Sequence, residues 1–202
     1  MTRRQVLQQA LCVPLAASFY SSNGLRILAA PDCLSQESAA GFRSVLTLRC
    51  PRNLIVVCGA VDYTIALRLR DHALHGGRIL WELSPHAPQP RLFQDKFGVT
   101  LNEPLAASHD RLFIRYCWPH ATLTRSFSPV VPVHCPAGEI VAHCGAIPVA
   151  IKRRLGRGGI VFLGSMLGPN LRAEEPEARA LAAAIFSGTA SAGTSTAAST
   201  NT

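Results

Sequence analysis

The chain has 202 residues, of which 48% are hydrophobic, 16% charged and 6% aromatic, enough for one domain with a full hydrophobic core. So low a charged fraction excludes disorder over most of the length, and no run reaches the ~18 uninterrupted apolar residues of a membrane span. Twenty Lys and Arg against 12 Asp and Glu give a formal charge of +8. The arginines are scattered, and the one cluster, Lys152-Arg153-Arg154-Leu155-Gly156-Arg157, lies between two strand-like runs. It reads as a solvated hairpin end, so no nucleic-acid partner is expected.

The N-terminus carries Arg3-Arg4, a hydrophobic pair, and an uncharged stretch from Gln5 through Leu25. This resembles a bacterial twin-arginine (Tat) export signal, which assigns residues 1–23 to a leader. The implied partner is the Tat export machinery and the implied location periplasmic or extracellular, with the cytoplasm as the alternative. Leu15-Ala16-Ala17-Ser18 is the nearest approach to a cleavage site. Loss of Cys12 with the leader would leave six cysteines, at 33, 50, 58, 117, 135 and 144. An even number permits disulfides in an exported protein, and no CxxC pair points to zinc or redox chemistry.

Leu25 to Ala30 reads as a short buried strand stopped by Pro31-Asp32. Ser35 to Val45 reads as a helix with Ser35 available as its cap. Leu54-Ile55-Val56-Val57-Cys58 is a continuous apolar run, the pattern of a central parallel strand covered on both faces. Gly59 ends it, a helix from Val61 or Asp62 runs to about His75, and Gly76-Gly77 stops that helix. Arg78 to Leu83 is the third strand, and the alternating order predicts an open α/β sheet. Arg91 to Phe97 predicts a short helix ending at Gly98. Residues 111–127 and 130–144 read as β-hairpins, and two further strands flank the turn at 155–159. A last helix spans Glu174 to Phe186, and residues 188–202 form a low-complexity tail, leaving 24–187 as the domain.

The segment from Leu54 to Ala60, the helix after it, and Gly76-Gly77-Arg78-Ile79-Leu80-Trp81-Glu82 resemble the class I glutamine amidotransferase-like superfamily. The hairpin from Ile147 to Ser165 is similar to that of its non-amidotransferase branch, which includes ThuA-like proteins and domains of some β-galactosidases. The resemblance implies a flavodoxin-like, mostly parallel sheet with helices on both faces and β-hairpins inserted in the C-terminal half. It does not carry the catalytic residues across. The strand that should bear G-x-C-x-G reads Ile79 to Ser84, with Glu82 near the elbow, and neither His134 nor His143 opens a His-x-Glu pair. Amidotransferase activity has no nucleophile here.

In such sheets ligands bind beyond the carboxyl ends of the strands, where Asp32, Gly59, Asp62, Glu82 and Ser84 fall. These are the candidate ligand-binding residues, for a small polar ligand such as a carbohydrate. Asp32 and Glu82 could instead serve as an acid–base pair, and Cys58, at a strand end before Gly59, as a nucleophile. The bland alternatives are a cap for Asp32, an arginine partner for Glu82 and core packing for Cys58. His72 with His75, and the doublets His134-Cys135 and His143-Cys144, carry no reinforcing metal motif, so neither metal nor cofactor is expected. A protein partner would instead use an apolar patch around Tyr116, Trp118 and Phe127.

Overall fold

The computed structural model describes residues 18–22, 25–45, 53–86, 89–105 and 112–188. Most of the predicted leader, Cys12, Cys50 and nearly all of the predicted tail therefore lie outside the described residues. One mixed sheet organises the chain. Its strands are β1 (Ser18–Ser22), β2 (Leu25–Ala29), β3 (Leu54–Cys58), β4 (Arg78–Glu82), β6 (Phe113–Tyr116), β7 (Thr122–Arg125), β9 (Glu139–Cys144), β10 (Ile147–Leu155) and β11 (Gly158–Leu163). They lie in the order β1-β2-β3-β4-β11-β10-β9-β6-β7, while β5 (Thr100–Leu101) and β8 (Val133–His134) pair separately.

The expectation of a mostly parallel sheet needs correction. Only β2–β3, β3–β4 and β4–β11 run parallel. The C-terminal hairpins extend the same sheet antiparallel instead of standing apart from it, because β11 takes β4 as a parallel neighbour and turns back on β10. Residues 18–22, which the sequence assigns to the leader, pair with the whole of β2.

Helix α1 (Cys33–Ser44) is capped by Asp32, not by Ser35: the Asp32 carboxylate accepts from the Ser35 amide at 2.9 Å. Helix α2 (Tyr63–Leu74) is capped by Asp62 in the same way, through the amide of Ile65 at 2.8 Å. Helix α3 (Pro90–Phe97) ends at Gly98 in the left-handed region, which glycine enters without a Cβ penalty. Helix α4 (Gly168–Arg172) precedes α5 (Pro176–Gly188), which starts two residues after the expected Glu174 and keeps Glu177 in its first turn.

Two apolar layers sandwich the parallel strands. Along β4, Leu80 joins the layer under α1 and α5, while Ile79 and Trp81 join the layer under α2 and α3. In the second layer Trp81, Phe93, Phe97 and Phe162 form an aromatic cluster with ring centroids 4.9–6.0 Å apart. Strand alternation therefore turns Glu82 toward α1. That placement decides its role.

Candidate functional site

The apolar run of β3 brings Cys58 to the strand's carboxyl end, directly beside Glu82 in the parallel register. Both residues are fully buried. Glu82 Oε2 accepts a short hydrogen bond from Ser38 Oγ on α1. Its Oε1 accepts from the backbone amides of Leu167 at 2.6 Å and Gly168 at 3.0 Å, where the chain enters α4. One carboxylate thus ties β4 to two helices, with donors on both oxygens. Nearby, Tyr116 Oη and Ser165 Oγ lie 3.2 Å apart. Tyr116 is buried, so the patch expected around it does not include its ring. The reason is β6 alternation, which points Ile114 and Tyr116 inward and leaves Phe113 out.

Close approach of α1 makes this possible. A Cβ on Gly41 would collide with the Gly168 carbonyl, and one on Gly168 with the side chain and backbone of Ser38. At Gly59, φ is 87° and a Cβ would strike the Ser35 hydroxyl. The Gly59 amide donates to the Glu82 carbonyl at 3.0 Å, and its own carbonyl accepts from the Trp81 indole at 2.9 Å.

Burial sets the electrostatics. Desolvation raises the Glu82 carboxyl to a pKa of about 7, with the hydrogen bonds from Ser38, Gly168 and Leu167 pulling back toward the charged form. Cys58 is pushed well above the usual thiol range by burial first and by the adjacent Glu82 second. Burial likewise lifts Tyr116 to about 12. A thiol in this setting stays protonated at neutral pH, the opposite of an activated nucleophile.

The structure does not bring Asp32 and Glu82 into one site. Asp32 is half-buried and engaged by the amide and, at 2.7 Å, the hydroxyl of Ser35. Glu82 is held one turn further along α1, by Ser38. Ser84 is buried and its hydroxyl accepts from the His86 amide at 3.3 Å, while Asp62 serves as the α2 cap. No arginine salt-bridges Glu82 among the described residues. His72 and His75 each hydrogen bond a backbone carbonyl, of Asn53 and Asp71. The five described cysteines, Cys33, Cys58, Cys117, Cys135 and Cys144, are free thiols.

Sequence reading missed Ser38, Leu167 and Gly168 as partners of Glu82. The small residues Ser35, Ser38, Ala39 and Gly41 were the available signal of a helix lying close to its neighbours. It also missed a shallow depression of about 400 Å³ lined by Tyr63, Gln89, Pro90, Arg91 and Leu92. This depression lies where α2 and α3 begin.

No protein-family model matches the sequence, and no curated protein matches it. Solved structures do. A cytoplasmic protein from Salmonella typhimurium LT2 superposes with a TM-score of 0.58 at 7% identity, over 86% of this chain and 94% of that one. The mmIFT52 N-terminal domain gives 0.53 at 12% identity, over 70% and 78%. A GH42 β-galactosidase from G. stearothermophilus gives 0.50 at 13% identity, over 73% of this chain and 26% of that one. The chain spans about a quarter of the length of the β-galactosidases and the mannosidase it matches. At such identities the likeness is one of fold, an α/β fold with a mixed sheet.

Proposed function

We propose that this chain is a non-catalytic domain on an amidotransferase-like, flavodoxin-like scaffold, and that it binds a small polar ligand, a carbohydrate, at the strand ends. The observation that carries this reading is the use made of Glu82. The one acid at the elbow is sealed under α1 and satisfied by three donors, and the neighbouring thiol is sealed with it. Such a pair supports packing and leaves binding to the open surface beside it. The β-galactosidases and the mannosidase, which contain similarly folded regions, favour a carbohydrate as the ligand. No helix among the described residues is long and apolar enough to cross a membrane.

Alkylation at neutral pH with peptide mapping tests the non-catalytic reading. Cys33 and Cys117, both exposed, label readily, and Cys58 stays protected until denaturant is added. Rapid, selective labelling of Cys58 would move the reading to a hydrolase using Cys58 or Glu82.

Export through the Tat route is the corresponding proposal for location. Because Ser18–Ser22 completes the sheet edge beside β2, cleavage at Leu15-Ala16-Ala17-Ser18 would keep β1 in the mature domain. N-terminal sequencing of periplasmic protein beginning at Ser18 supports this, and retention of the intact chain in the cytoplasm refutes it. A protein partner is the second reading, favoured by the exposed Phe113, Leu123 and Phe127.

A further inference from the structure

Strand β7 is the last in the sheet, so one of its sides meets no neighbouring strand. Ser126 donates its amide back to Leu112 on the β6 side, whereas the Arg125 carbonyl points the other way and accepts from Asn170 Nδ2 at 2.8 Å. Backbone groups alternate in direction along an antiparallel strand. The amide and carbonyl of Leu123 therefore point to the free side too, and no group among the described residues bonds them there. Asn170 closes this edge at Arg125 and leaves it open at Leu123. Alongside runs a groove of about 310 Å³, walled by Phe113, Leu123, Thr124, Pro176 and Glu177. Phe113, Leu123 and Phe127 are all exposed, and the Arg125 guanidinium lies 5.8 Å from the centre of the Phe127 ring.

Charge separates the two faces of this edge. Arg115 stands directly across from Leu123 and Phe113 across from Arg125, so these residues share the open face. Thr124 is buried and turns the opposite way with Ile114, toward the layer under α5. At the start of α5, Glu174 pairs with Arg179 and Glu175 with Arg125. The exposed Glu177 is left without an ion-pair partner among the described residues. A strand added here would send successive side chains to opposite faces. The one beside Leu123 meets apolar groups and the Arg115 cation; the next meets Glu177. We infer that the β7 edge takes an extended segment of another protein by strand addition, with an apolar side chain beside Leu123 and a lysine or arginine next to it at Glu177. This rests on the reading of a protein partner at Phe113, Leu123 and Phe127, and gives that partner its chemistry. A second copy of β7 does not match, because Leu123 is followed there by Thr124.

A short acetylated peptide of alternating valine and lysine, titrated into the full ¹⁵N-labelled chain, tests the inference. It is expected to shift the amides of Leu123 and Arg125 and to slow hydrogen exchange at Leu123 severalfold. Glutamate in place of the peptide's lysines, or Glu177→Gln in the chain, is expected to weaken binding about threefold. Methylating the valine nitrogens removes the bonds to Leu123 and should abolish the shifts. Methylating the lysine nitrogens, which face away from β7, should leave them. Binding indifferent to which nitrogens are methylated overturns strand addition and leaves a protein partner at the apolar face standing. A glutamate peptide that binds as well as the lysine peptide overturns the basic class. A dimer of the unmodified chain in sedimentation, with the Leu123 amide already protected, replaces the foreign partner by a second copy. No shift at Phe113, Leu123 or Phe127 with any of these peptides overturns both the strand addition and the partner reading beneath it.

Discussion

In the parallel half of the sheet every residue of β3 is buried, and β4 sends Leu80 and Glu82 into one apolar layer and Ile79 and Trp81 into the other. In the antiparallel half β6 alternates, with Phe113 and Arg115 exposed and Ile114 and Tyr116 buried, and Leu123 of the edge strand β7 is 51% exposed. The first half is covered by helices on both faces; the second has one face in water. A polar residue can therefore be accepted in the first half only by being fully paired, as Glu82 is, whereas in the second half apolar residues remain outside without penalty to the core. Polarity is costly in one half and nearly free in the other.

Substitutions should expose that contrast. The largest effect is expected from Glu82→Ala, which strands the Ser38 hydroxyl and two buried amides beside a cavity. We expect a loss of about 3–5 kcal/mol, read from denaturant midpoints. An unchanged midpoint would mean that the three bonds to Glu82 contribute nothing net. Next comes the pH dependence of the same group. Its folded-state pKa, about 7, stands above the ordinary 4.5, so the folded chain holds the proton more tightly than the unfolded chain. The contribution is complete below about pH 4.5 and is lost as pH rises through 7, by roughly 3 kcal/mol. Glu82→Gln keeps an acceptor for the Leu167 and Gly168 amides and cannot ionise, so urea midpoints between pH 4.5 and 8 should flatten in that variant. A slope that survives the substitution would assign the titration to another group.

Smaller effects probe the helix approach and the open face. Gly41→Ala forces α1 away from Gly168, and the expected cost is about 2 kcal/mol in spite of the better helix propensity of alanine. In the antiparallel half, Leu123→Ser should change stability by no more than about 0.5 kcal/mol. A larger loss there would show that the face is covered in solution, and sedimentation of the unmodified chain would then reveal the covering copy.

The same contrast governs what could be read from the sequence. The run Leu54 to Cys58 announced a strand buried on both faces, and the three parallel strands with their intervening helices followed from it. The hairpin at 111–127 was legible, whereas the one read at 130–144 does not form, since β8 pairs with β5 and β9 with β10 and β6; alternation in a strand says nothing about which sheet or edge it joins. At the site, the position of Glu82 at a strand end was visible, whereas its donors come from about 44 and 85 residues away along the chain. Asp32 and Ser35 both suit a helix cap, and only the geometry of the first turn selects Asp32. The depression at Tyr63 was hidden because an exposed aromatic on a helix's first turn does not disturb the helical pattern.

The pairing of β4 with β11 joins Leu80 to Val161 and Trp81 to Phe162. During synthesis β4 leaves the ribosome long before its neighbour exists, so its outer edge and the Trp81 cluster must wait for some eighty further residues. Non-local closure of this kind slows folding, and an unpaired strand edge is meanwhile open to other chains. The nascent polypeptide is thus most vulnerable to aggregation in the interval between those two strands, which makes chaperone dependence of expression a property of the topology and not of surface composition.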